Sequence, residues 1–329
     1  MSKSGKTKQI NSSFGVFIQK YALVGALFVV LLVFTLMRPN SFLTQGNIRS
    51  LLTSQAVTII LAYAVMIPLA TNEFDLSVGY LAGTAQVLVI GLQVNNGFNW
   101  WSAVLVALLV GSVAGLLNGI LITQFGISSF IATLATGMIL FGITNWFTKG
   151  QQILGSNLPT TFTNLVSAWG FIPIPAIIFL TVGVIIHYFL QRTVPGRSLF
   201  VVGASRRAAE LTGISVRRSL ITAFVMSGFL AAIAGTILGA NLRTATASTG
   251  PEFLLPAFAG AMLGATSITP GRVNIGGTLI ASLTLAFLFS GVQQLGAPFY
   301  TQYFFQGGIL IIAVALSVYA AKKQKSQKK

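Results

Sequence analysis

Two of the four acids in this chain, Glu73 and Asp75, fall within NEFDLSVG, residues 72 to 79, where they interrupt an apolar run. A carboxylate near membrane depth is costly, so it marks a function or lies at an interface. Asp75 has two chemistries open to it. It can accept the first backbone N–H groups of the helix that follows, placing negative charge on the positive helix end. Alternatively, with Ser77 and Gly79, it can face a polar solute, because broken helices at membrane depth often line a pathway. A second break, TSITPGRVNIGG at 266 to 277, offers Asn274 as another pathway or helix-break candidate, although a turn with one orienting arginine, Arg272, explains it equally well.

The longest polar interruption is VPGRSLFVVGASRRAAELTGISVRR, residues 194 to 218. Ser205 can N-cap a short helix through Arg206, Arg207, Ala208, Ala209, Glu210 and Leu211, with Gly213 supplying a left-handed stop. Ala208 and Ala209 offer a small, close-approach face, and Arg206 and Arg207 can meet acidic groups on a partner. Other chemistries lack their parts. There is no cysteine and only one histidine, so thiol and metal sites are set aside. That histidine, His187, has no nearby acid and reads as packed or interfacial rather than as a proton relay. No GxxxxGK[ST] occurs, and no nucleophile stands with a base and an orienter. These residues describe a pathway without an engine.

The elements that must position them are membrane spans. Of 329 residues, 54% are hydrophobic and 7% charged, with mean hydropathy +0.83, a balance no water-soluble domain covers with polar surface. Apolar runs lie at about 21–37, 51–70, 76–94, 100–125, 128–147 and 171–190, then at 219–240, 253–268, 275–295 and 300–320. The expectation is an all-α polytopic membrane protein of about ten helices, the 253–268 run being short for a span of about 20 residues. It comprises an N-terminal tail to residue 20, a transmembrane domain over 21–320 with a loop at 191–218, and a C-terminal tail from 321.

The net charge of +16 does not imply nucleic acid, because the basic residues sit in tails and loops without an aromatic-interleaved groove. They follow the positive-inside rule instead. With ten spans, both tails, the 191–218 loop and Arg272 share the cytoplasmic side, and Arg38, Arg49, Lys149 and Arg243 lie opposite. The first span is read as uncleaved, since no small-residue cleavage site follows it. The uncharged stretch 148–170, apart from Lys149, then lies outside with Trp146 and Trp169 at its borders, and it could receive a partner. Gly111 and Gly115 in one run, and Gly235 and Gly239 in another, mark close helix packing.

Three stretches taken together resemble the permease subunit of ribose-type ABC sugar importers: NEFDLSVG at 72–79, GRSLFVVGASRRAAELTGISVRR at 196–218, and FLLPAFAGAMLGATSITPGRVNIGGT from 253. The likeness covers nearly the whole chain, and the loop is its most specific part, keeping Gly196, Arg197, Gly203, Ala208, Ala209, Gly213, Ile214 and Val216. Ser205 stands where the family commonly has Asn, and Thr212 where it has Ser. Asn72, Glu73 and Phe74 replace a Gly-Gly-Ile, and Ala265, Pro270 and Val273 replace glycines. The resemblance implies an importer of a sugar or sugar-like solute in the bacterial inner membrane. It also implies an ATPase partner with two nucleotide-binding domains that hydrolyses the ATP, an extracytoplasmic solute-binding protein, and a second permease chain, identical or related. The loop helix at 205–213 would be the ATPase-coupling element, and this chain itself would bind no cofactor. An ion- or proton-coupled secondary transporter is the alternative, but it would place ionisable residues within its spans, where few occur here. A membrane scaffold would not need the capped arginine-rich helix.

Overall fold

The computed structural model describes residues 6–298, 300–308 and 311, with side chains from Lys20 onward. The protein is all-α and polytopic. Among the described residues, eight helices are long and apolar enough to cross a membrane. They are α1 (Lys6–Met37, apolar from Lys20), α2 (Gln45–Leu69), α3 (Val78–Asn96), α4 (Trp100–Gln124), α5 (Ser129–Thr148), α7 (Ile174–Arg192), α10 (Val216–Leu242) and α12 (Ile275–Gln294). The short run expected at 253–268 is α11 (Leu254–Gly264), whose 11 residues reach about 16 Å, half a hydrocarbon core. The Gly-Pro pair that opens the preceding 3₁₀ turn, Gly250–Phe253, and the turn after Gly264 confine it. Of the run expected at 300–320, residues 301–308 are helical, and all but these, 300 and 311 lie outside the described residues, as do the C-terminal lysines.

The chain divides into two compact units, one from 45 to 258 and one formed by residues up to 44 with those from 259 onward. In the first, α2 and α10 are central. Every residue of α2 from Ala56 to Pro68 is buried, so this apolar helix is a protein core, whereas Leu109 of α4, Ile139 of α5 and Val184 of α7 are more than 60% exposed and suited to lipid. Three of the four paired glycines make the close approach their spacing implies, and Gly239, in ordinary contact with Ile90, does not. Gly111 and Gly115 of α4 lie on the backbone of α10 at Gly228 and Phe224, while Gly235 of α10 lies on the Ala82 carbonyl of α3. A side chain at any of these would collide with backbone, so the helices approach only because none is there.

On one side of this unit, α5 and α7 are joined through β1 (Ile153–Leu154), α6 (Thr160–Thr163), β2 (Ala168–Trp169) and β3 (Ile172–Pro173). There β1 pairs antiparallel with β4 (Thr244–Ala245), and β2 with β3. The Arg49 guanidinium donates to the carbonyls of Gly170 and Phe171, tying this connection to the start of α2. In the second unit, α1 packs along α12, and the rings of Phe34 and Phe42 meet at a tilt with 5.5 Å between ring centres. The Lys20 carbonyl accepts from Ser267 Oγ at 2.9 Å and from Ile268 N at 3.0 Å.

Candidate functional site

The break between α2 and α3 is a built joint. Helix α2 ends in a Schellman turn: Glu73 N donates to Pro68 O at 3.1 Å and Asn72 N to Leu69 O at 3.0 Å, with Asn72 left-handed at φ 62°. Asparagine is the side chain that best tolerates this conformation after glycine, which explains how Asn72 stands in for the expected glycine. The next residues are extended, and their backbone donors go to hydroxyls of α5. Phe74 N meets Ser129 Oγ at 3.1 Å and Leu76 N meets Thr133 Oγ1 at 3.0 Å. Phe74 also stacks on Phe258, with ring centres 6.4 Å apart.

Asp75 does not cap α3. The cap position is Ser77, whose side chain makes no capping bond, and Asp75 sits two residues too early to reach the first free N–H groups of the helix. Its Oδ1 instead accepts from Ser77 N at 3.0 Å and Ser77 Oγ at 2.5 Å, closing a turn on itself. Asn118 Nδ2 of α4 then donates to Ser77 Oγ at 3.0 Å. Ser227 of α10 faces the carboxyl from the other side. Asp75, Ser77, Asn118 and Ser227 are all fully buried. Burial pushes the Asp75 carboxyl above its usual range, against the opposing pull of the bonds it accepts from Ser77. Among the described residues Asp75 Oδ2, Asn118 Oδ1 and Ser227 Oγ have no hydrogen-bond partner, so the cluster holds acceptor capacity that a polar group or water can use.

Gly79 is buried as well, held against the carbonyl of Gly250 and the Cα of Pro251. Asn274 belongs to the other unit. It caps α12, its Oδ1 accepting from Gly277 N at 2.7 Å, while its Nδ2 donates to Ser267 O at 3.0 Å and Arg272 O at 3.1 Å. Those bonds occupy it as the organiser of its own turn, which distinguishes it from Asp75.

The polar segment after α7 folds as two helices where one was expected. Thr193 Oγ1 accepts from Gly196 N at 3.1 Å and opens α8 (Val194–Ala204), with Pro195 in its first turn. Then α9 (Arg206–Leu211) is capped by Ser205, whose Oγ accepts from Ala208 N at 3.2 Å. Its Schellman ending uses Gly213 at φ 78°, with Ile214 N on Ala209 O at 2.9 Å and Gly213 N on Glu210 O at 3.0 Å. Arg206, Arg207, Ala208, Glu210 and Leu211 are exposed, Leu211 at 82%. Ala209 is not. It is fully buried against its own protein, because a helix of this length turns one of every three or four residues inward. It therefore belongs to the core and is no part of an outward face.

Two partners were not foreseen. Arg206 forms an ion pair with Glu73, 133 positions earlier in the chain, and no local pattern signals such a pairing. Asn118, an amide within the apolar stretch of α4, is a signal in the sequence of a polar neighbour.

A bundle of apolar spans with a buried polar joint, and a capped polar helix outside the spans, defines a multi-pass membrane transport subunit. The model for the permease component of branched-chain amino acid transport systems matches residues 47–314. The ribose import permease of Bacillus subtilis (strain 168) is 34% identical over 94% of this chain and 96% of its own. The D-allose transport system permease of Escherichia coli (strain K12) is 29% identical over 95% and 96%. The autoinducer 2 import system permease of Photorhabdus laumondii is 31% identical over 90% of each. No solved structure matches. The chain belongs to this permease family and is the membrane-spanning permease subunit of an ABC importer of the ribose type, a multi-pass inner-membrane protein. The ion-coupled alternative is not favoured.

Proposed function

We propose that this subunit carries a sugar or sugar-like, polyhydroxylated solute inward. An extracytoplasmic binding protein delivers the solute, and a separate ATPase with two nucleotide-binding domains drives the step. A second permease chain completes the pathway across the lipid bilayer. The observation that carries this reading is the likeness, along nearly the whole chain, to import permeases named for ribose, allose and autoinducer 2. The lysine and arginine distribution supports an orientation with both termini and α8–α9 in the cytoplasm and the 148–170 segment outside. In that orientation α9 is the ATPase-coupling helix, with Arg207, Ala208 and Leu211 as its outward face and Ser205 and Gly213 holding its ends. Asp75, Ser77 and Gly79 line or brace the route on the same side, and the ATP is bound and split by the partner alone.

Reconstitution tests this. Proteoliposomes holding the permease, its ATPase and its binding protein are expected to take up labelled ribose or allose only with ATP inside the cytoplasmic compartment. The chain has no native cysteine, so Ser156→Cys should react with an impermeant maleimide in intact cells and Leu211→Cys only after permeabilisation. Uptake without ATPase, or the reverse labelling, would overturn the reading.

A further inference from the structure

The break between α2 and α3 touches two different parts of the molecule at once. On one side, Gly203 at the end of α8 lies directly on the backbone of Ala70 and Thr71, closer than any side chain would allow, and Arg206 in the first turn of α9 pairs with Glu73. On the other side, the residues immediately after Glu73 are fastened to two spans, Phe74 and Leu76 to α5 and Asp75 through Ser77 to α4, with Ser227 of α10 close to the carboxyl. Glu73 is thus one residue from Phe74 and two from the buried carboxyl, and α9 holds it by charge.

We propose that Glu73 is a positioning residue for transport: through Arg206 it fixes α9 to the α2–α3 break, so that displacement of α9 moves the Asp75 cluster and the spans attached to it. This rests on α9 being the ATPase-facing helix. Three further observations favour a transmitting over a merely stabilising role. The Arg206 side chain is 54% exposed, and an ion pair so open to water adds little to folding. Glu73 is 9% exposed on the same measure, so it cannot itself be an ATPase contact, yet an acid buried there at a desolvation cost calls for a reason. The extended segment 73–77 is short and has its backbone donors satisfied at Phe74, Leu76 and Ser77, so a pull at one end is not absorbed by slack in between.

The test uses the complete transporter in proteoliposomes and reads three quantities: ATPase co-purification, the ratio of solute-stimulated to basal hydrolysis, and solute uptake per ATP. Glu73→Gln is expected to keep the ATPase bound and the thermal midpoint within the error of the parent, while the stimulation ratio falls toward one and uptake per ATP drops about tenfold. Arg206→Glu alone should do the same through repulsion. The exchange Glu73→Arg with Arg206→Glu should raise the ratio above that of Arg206→Glu. Parental coupling in Glu73→Gln, or an exchange no better than Arg206→Glu, would overturn the proposal. If Ala208→Trp leaves ATPase binding intact, the assignment of α9 as the docking helix has failed instead, a result visible without any change at Glu73.

Discussion

Asp75→Ala is expected to leave a permease that inserts poorly, unfolds early and transports nothing. Alanine removes the acceptor of Ser77 N–H and Ser77 O–H in a place sealed from water, and each buried donor stranded this way costs about 1–3 kcal/mol. Against a total stability of about 5–15 kcal/mol that is a large share. Asp75→Asn retains an oxygen at the Oδ1 position and should fold. It also isolates the charge. Because burial raises the carboxyl's pKa in the folded state, the folded protein holds that proton more tightly than the unfolded chain does. Its contribution is therefore fully present below the ordinary carboxylate value of about 4 and is lost as pH rises from there toward the folded pKa. The asparagine variant has no such titration, so its thermal midpoint relative to the parent should climb as pH rises above about 4. Unfolding in detergent across that range measures both effects; an alanine variant as stable and active as the parent would remove Asp75 from the site.

The sequence disclosed what is decided within a few residues. Ser205 and Gly213 bracket α9 as their types demand, and the glycines of α4 and α10 announce a close crossing before any partner is known. The spans are equally visible, since a bilayer leaves few ways to satisfy a long apolar backbone. What escaped depends on distance in the chain or on rotation. Asp75 stands near a helix start, but whether it caps depends on where the first turn closes, and that is set by Ser129 and Thr133 of α5 holding the preceding residues extended. Ala209 and Ala208 are the same residue type one step apart, yet one is buried and the other exposed, a difference fixed by the roll of α9 on its own protein. Glu73 looked like a departure from the family pattern. Its meaning lies in Arg206, which only folding brings near.

Ala208→Trp and Leu211→Ala are expected to detach the ATPase from an otherwise sound permease. Helix α9 has six residues, well under the roughly 12 to 15 at which an isolated helix becomes even marginal in water, so its persistence comes from the Ser205 cap, the Gly213 turn and the burial of Ala209. What it presents outward is then rigid: Arg207, Ala208 and Leu211, all exposed. Leu211 is the large apolar side chain on that face and so its strongest candidate anchor. Truncating an anchor of this kind costs about 2 kcal/mol or more where it is central to an interface, close to thirtyfold in affinity. Leu211→Ala should therefore weaken ATPase co-purification by about that factor. Tryptophan at Ala208 should block close approach altogether, with maleimide labelling at Ser156→Cys unchanged in both backgrounds. Ala209→Trp gives the contrast: a bulky side chain in a sealed position overpacks the permease itself, at about 1–3 kcal/mol, and should lower its thermal midpoint before any ATPase is added. Binding and stimulation at parental levels in both Ala208→Trp and Leu211→Ala would show that the ATPase docks elsewhere, since every positive charge of the chain remains in place in these two variants.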